Sequence, residues 1–158
     1  MSEASDSRAF SDEDKRVLAG VLDDIIPPSP DGRMPGAGEI GLAGFIDDAL
    51  RAAPELRAMV LQSLSALDAL ARRRTSQAFA ALPRADQAAL INELASSEDA
   101  VPPVLILHAY AGYYQHPKVV AALGLEPRPP HPKGYEMAPD DFSLLDPVRR
   151  RPRLTRPC

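Results

Sequence analysis

The chain has 158 residues, of which 45% are apolar and 25% charged, with a formal charge of -4. That bounds it to one domain, or one domain plus an arm, and the mild acidity gives no reason to expect nucleic acid or an anionic membrane as partner. Cys158 is the sole cysteine, which excludes an internal disulfide, and the most apolar run, residues 101–114, is too short to span a bilayer.

Residues 1–10 read as a polar, acidic, disordered lead. They hold neither a twin arginine nor an apolar stretch, so no export signal is expected and the protein is placed in the cytoplasm. A first helix starts at Ser11, an N-cap followed by Asp12, Glu13 and Asp14, whose charges suit the positive end of a helix dipole. Val17, Leu18, Val21, Leu22, Ile25 and Ile26 form its apolar stripe, and Pro27 and Pro28 end it. Residues 29–41 hold two prolines and four glycines and read as a loop. A second helix is expected over residues 42–52, with Leu42, Phe45, Ile46, Ala49 and Leu50 inward. Pro54 suits the first turn of a third, which carries Leu56, Met59, Val60, Ser63, Leu64, Leu67 and Leu70. It ends in Arg72, Arg73 and Arg74, read as cations favoured at a helix C-terminus rather than as a nucleic-acid patch.

Phe79 anchors a short turn over residues 76–82, and residues 86–94 form a fourth helix with Leu90, Ile91 and Leu94 on one face. Pro102 and Pro103 open the most apolar helix, with Val104, Leu105, Leu107, Ala111 and Tyr114, expected to be the central one. A last short helix, residues 118–123, closes at Gly124. No β-alternating run and no internal repeat is found. The expected fold is therefore all-α, a compact domain of about five to seven helices over residues 11–125. Residues 126–158 are too rich in proline for helix and are expected to form an extended arm, partly polyproline II.

No catalytic constellation emerges from the residues. His108, His116 and His131 lack the close spacing of a zinc motif, so no metal site is expected. His108 reads as a hydrogen-bonded core histidine and His116 as a helix-end residue. Asp23–Asp24 and Asp47–Asp48 are adjacent acids that point about 100° apart on a helix, so they read as solvated faces rather than a catalytic pair. Pro35-Gly36-Ala37-Gly38 follows no strand and is not a dinucleotide fingerprint. All four tyrosines fall between residues 110 and 135. Tyrosine and arginine anchor interfaces, so Tyr113, Tyr114, Arg128, Pro130 and Tyr135 are expected partner-binding residues. The same tyrosines could instead pin the arm to the protein's own helices.

Two groups of residues resemble a known family. Leu22-Asp23-Asp24-Ile25-Ile26-Pro27, then Pro35-Gly36-Ala37 and Phe45-Ile46-Asp47, are similar to the opening signature of the gluconate 2-dehydrogenase subunit 3 family. Gly112-Tyr113-Tyr114-Gln115-His116-Pro117, then Leu123-Gly124, Arg128-Pro129-Pro130 and Gly134-Tyr135, resemble its closing one. The resemblance implies a non-catalytic small subunit without a cofactor of its own. Its partner would be a large flavoprotein subunit of the glucose–methanol–choline (GMC) type, which holds FAD and oxidises a sugar, sugar acid or glycoside. The small subunit would support the folding or export of the large one, and a further electron-accepting protein is a second expected partner. Many members open on a twin-arginine signal that this sequence does not show, which favours a cytoplasmic pair, with periplasmic export on a partner's signal as the alternative. The rival reading is a free-standing helical interaction or scaffold domain unrelated to redox chemistry.

Overall fold

The computed structural model describes residues 9–127 and 141–151, and among them every regular element is helical. The chain divides into two units, residues 1–127 and 128–158. The first contains α1 (Asp12–Ile25), α2 (Ala43–Leu50), α3 (Pro54–Thr75), a 3-10 turn (Phe79–Ala81), α4 (Arg84–Leu94), α5 (Pro103–Gln115) and α6 (Pro117–Ala122).

The start of α1 is fixed by a reciprocal capping box. Ser11 Oγ accepts from the Asp14 amide at 3.1 Å, and Asp14 Oδ2 accepts from the Ser11 amide at 2.9 Å. Two orphan donors of the first turn are thereby satisfied, and three acids face the positive end of the dipole. The helix stops before Pro27, and its last carbonyls are not left bare: Ile26 O accepts from the Ala37 amide at 3.0 Å.

Val17, Leu18, Val21 and Leu22 are buried, and α1 packs against α2, α3, α4, α5 and the 3-10 turn. The central helix is therefore α1, not α5 as its apolar sequence led one to expect. Although α5 packs on α2, α6 and α1, only Leu105, Ala109, Gly112 and Tyr113 are buried along it. Leu107 is 66% exposed.

In α3 the buried stripe runs Arg57, Val60, Ser63, Leu64, Leu67, Leu70, Ala71. Leu56 and Met59, expected inside, are exposed. The stripe is completed at its start by an arginine instead, which a rule that admits only apolar residues cannot find. Phe45, also expected inside, is 39% exposed; one side of its ring lies over Gly112.

Arg72 at the end of α3 pairs with Asp68 at 2.6 Å and Glu13 at 2.8 Å, and Arg74 pairs with Glu93 at 2.7 Å. Two of the three arginines are thus engaged with acids of the same domain. The 3-10 turn is tied to α3 by the Phe79 amide, which donates to Asp68 Oδ1 at 2.9 Å, and Phe79 itself is fully buried. Gly20 makes room for it, since a Cβ there would sit 2.9 Å from the Phe79 ring. Phe10, assigned to the disordered lead, is also a core residue at 2% exposure.

The described part of the second unit is a 3-10 turn (Ser143–Leu145) running into α7 (Asp146–Arg149). The expectation of a wholly extended arm over residues 126–158 is corrected there. Pro147 occupies the first turn of α7, where its missing N–H would have had no helical partner.

Candidate functional site

The two groups of family-like residues are far apart in sequence but meet on the Pro35–Gly38 loop. The Tyr113 hydroxyl donates to Pro35 O at 2.8 Å, across 78 positions of chain. Ala37 is fully buried. The Gly38 amide donates to Asp23 Oδ1 at 2.8 Å, and the Gly36 amide to Glu39 Oε2 at 3.2 Å. Arg84 of α4 closes the arrangement by donating to Asp23 Oδ2 at 2.8 Å.

The glycines are required by close approach. A Cβ on Gly36 would fall inside contact distance of Asp23 Oδ1, and one on Gly38 inside contact distance of Ala19 O. A Cβ on Gly112 would meet the Phe45 ring at 2.6 Å, so α2 and α5 are brought together on a bare backbone. Asp23 is thus no solvated acid but the anchor that ties the loop to α1 and α4.

Asp47 is corrected in the same way. Its Oδ1 accepts from Arg57 Nη2 at 2.7 Å and Nε at 3.1 Å, and its Oδ2 from the Phe10 amide at 3.2 Å. Both side chains are about nine-tenths enclosed, and the Arg57 guanidinium lies 4.9 Å from the centre of the Phe10 ring. Two charge-assisted bonds from the guanidinium to Oδ1, with the Phe10 amide on Oδ2, satisfy the charges that burial would otherwise penalise. Among the described residues no buried side-chain nitrogen or oxygen lacks a hydrogen-bond partner. Asp23 and Asp47, both in the opening group, therefore serve the fold.

The expected partner-binding residues fare differently from one another. Tyr113 is 2% exposed, and desolvation pushes its hydroxyl above the ordinary tyrosine range. Its ring is a core element that pins the loop, and it offers a partner no surface. Tyr114 is 53% exposed; it stacks on Tyr110 with ring centres 6.2 Å apart and meets the Tyr113 ring edge-on at 5.3 Å. Arg128, Pro130 and Tyr135 lie outside the described residues.

Ile106, Leu107 and Tyr110 are exposed beside Tyr114 on α5 and were not expected to be a surface. Their signal was present in the sequence. The thirteen residues of α5 contain no Asp, Glu, Lys or Arg, and a helix apolar on all sides requires burial on all sides.

His108 is half-buried and has no hydrogen bond among the described residues, which corrects its reading as a bonded core histidine. His116 does stand at a helix end, where its Nδ1 accepts from the Lys118 amide at 3.3 Å as the N-cap of α6. Among the described residues no three His, Cys, Asp or Glu side chains gather as a metal site, and no helix is long and apolar enough to cross a membrane. The shallow grooves found on the surface are lined by helix faces and adjoining turns and loops; one, of about 350 Å³, lies among Glu13, Arg16, Asp68, Arg72 and the alanines of the 3-10 turn.

Compared with known proteins, the chain matches a family model described as gluconate 2-dehydrogenase subunit 3 over residues 12–127, close to the whole first unit. No curated protein and no solved structure gives a significant match. The family match spans well over half the chain, and the packing around Pro35–Gly38 gives its signature residues a physical reason. The chain belongs to the gluconate 2-dehydrogenase subunit 3 family, the accessory subunits of dehydrogenase complexes.

Proposed function

We propose that this protein is the non-catalytic small subunit of an FAD-dependent dehydrogenase of the GMC type, supporting the folding, stability or assembly of the large subunit. The observation that carries the reading is the family match over residues 12–127. The use made of the signature residues supports it. Asp23, Asp47, Gly36, Gly38, Gly112 and Tyr113 all act within the fold, and none is free to serve as an acid or base on a substrate. General acid–base catalysis requires such a group within hydrogen-bond reach of the reacting atoms. In this reading the large subunit holds FAD and oxidises a sugar, sugar acid or glycoside, and a further protein accepts the electrons. The lone Cys158 fits a reducing compartment, and we place the pair in the cytoplasm.

The test is purification of the native complex with this chain tagged, flavin counted by absorbance and sugar oxidation followed with a dye acceptor. The expected result is flavin in the large chain alone. Replacing His108, His116 or His131 singly by Gln is expected to leave turnover per flavin near wild type. A fall on the order of a hundredfold, the effect of losing a general acid or base, with assembly intact, would place this chain in the active site and overturn the reading.

A further inference from the structure

The least explained surface of the first unit is the outer face of α5. Pro103, Ile106, Leu107, Tyr110 and Tyr114 recur at helical spacing and form a single stripe about 100° wide. The adjoining face, Leu105, Ala109, Gly112 and Tyr113, centred about 120° away around the helix, supplies the contact with the domain core. The other long helices turn ion pairs outward: Asp12–Lys15 on α1, Asp48–Arg51 from α2, Asp68–Arg72 on α3, Arg74–Glu93 between α3 and α4. Among the described helices of eight residues or more, only α5 carries no Asp, Glu, Lys or Arg.

The area is also of a useful size. From the exposures of its four large side chains the stripe presents on the order of 400 Å², about half of what one partner contributes to a standard interface. That suits the apolar centre of an interface, which is depleted of charge and enriched in tyrosine. Tyr114 stacks on Tyr110 and meets the buried Tyr113 ring edge-on, so the exposed rings are partly ordered before any partner arrives. Such ordering lowers the entropic cost of docking.

We infer that the Ile106–Leu107–Tyr110–Tyr114 face of α5 is the seat of the catalytic dehydrogenase subunit, which meets it with an apolar, uncharged patch. The inference rests on the accessory-subunit reading and names the surface which that reading requires. An accessory subunit must have an interface with its dehydrogenase, and neutrality without complementary charges selects an apolar counterpart. Tyr114 is therefore a docking residue, whereas Tyr113 beside it holds the face in place from below.

The experiment uses the full-length tagged chain expressed in its native cells. Wild type is compared with Leu107→Asp, with Leu107→Asp/Tyr114→Ser, and with Met59→Asp on the exposed flank of α3 as control. Circular dichroism and thermal melts establish that each variant folds. Dye-linked dehydrogenase activity and flavin are measured separately in the captured fraction, and light scattering on the chain alone reports self-association. The expected result is a tenfold or greater loss of captured dehydrogenase activity for both α5 variants, none for Met59→Asp, and recovery with Leu107→Met.

Unchanged capture by folded Leu107→Asp/Tyr114→Ser would overturn the inference and leave the accessory role standing. So would a chain that dimerises alone through Leu107 while capture persists, because the face would then belong to a second copy. Captured activity that depends on Leu107 but contains no flavin would uphold the docking face and refute the flavoprotein reading. Failure of the wild-type chain to capture any dehydrogenase would refute both. If Leu107→Asp does not fold, Leu107→Ser is carried through the same comparison.

Discussion

Replacing Asp47 by Ala removes the partner of a buried arginine. The Arg57 guanidinium would lose bonds of 2.7 and 3.1 Å to Oδ1, and the Phe10 amide its 3.2 Å bond to Oδ2. Breaking one side of a buried pair costs about 3–5 kcal/mol, because an uncompensated charge stays behind. The orphaned Phe10 amide belongs to the same small space, and its penalty of about 1–3 kcal/mol overlaps with the first rather than adding to it. A loss of about 3–5 kcal/mol is thus expected, a large part of the 5–15 kcal/mol typical of a domain. Arg57→Met should cost a similar amount, since it strands the carboxylate and removes the cation from the Phe10 ring. The double variant Asp47→Ala/Arg57→Met should recover at least about 2 kcal/mol relative to the sum, because no charge is left buried. Urea unfolding followed by circular dichroism, with slopes compared to check that the unfolded states match, measures all four corners of the cycle. An Asp47→Ala cost below about 1 kcal/mol, or single costs that simply add, would refute the claim that this pair is a buried clasp. Turnover per mole of whatever dehydrogenase complex still assembles should be unaffected. A selective loss of turnover would instead give Asp47 a functional role.

Three further outcomes follow from the packing. Gly38→Ala drives a methyl into the Ala19 carbonyl and should cost about 2 kcal/mol or more, whereas Gly44→Ala on α2 meets open space and should stabilise by about 0.5–1 kcal/mol; chemical denaturation reads both. Leu105→Ala should cost about 2–5 kcal/mol and Leu107→Ala within about 0.5 kcal/mol of nothing, so equal melting shifts would contradict the assignment of the two faces of α5. Tyr113→Phe leaves the Pro35 carbonyl without its donor and should cost about 1–3 kcal/mol. The Tyr113 pKa is raised in the folded state, so its contribution is present below the unfolded pKa of about 10 and declines as pH rises from there through the folded value; the Phe variant should show a shallower alkaline loss in denaturation series across that range.

The helices of the first unit were legible because their punctuation is chemical and local. Ser11 with Asp14, Pro27 with Pro28, Pro54, Pro102 with Pro103, and Gly124 mark ends by capping, by a missing donor or by positive φ, and each acts within a few residues of itself. What periodicity could not supply was the depth of each stripe. Met59 and Arg57 are two positions apart on α3, and hydropathy prefers the methionine; the arginine is inside because Asp47 waits for it on another helix. A clue was nonetheless available. Asp47 lies one and three positions from Ile46 and Leu50, and Arg57 lies three and seven from Val60 and Leu64, so each interrupts an apolar stripe with the opposite charge. Two such interruptions of opposite sign predict a buried pair, provided that the stripe is read by position and not by residue type.

The proposed docking surface was harder to see for the opposite reason. An apolar helix carries the same pattern whether both its faces are covered by its own chain or one is kept for another, and α5 was taken as central on that ground. The neighbours of α1 decide the matter: α1 meets α2, α3, α4, α5 and the 3-10 turn, leaving α5 on the outside with one face covered. The Gly112-Tyr113-Tyr114 triplet then divides along the helix axis. Gly112 admits the Phe45 ring, Tyr113 reaches the Pro35 carbonyl, and only Tyr114 turns outward. A recognisable motif is therefore not one kind of evidence. Its inward residues report how the chain folds, and its outward residue, Tyr114, is the one the proposed docking face uses. Tyr113→Phe and Tyr114→Ser separate those two contributions, the first in denaturation and the second in assembly.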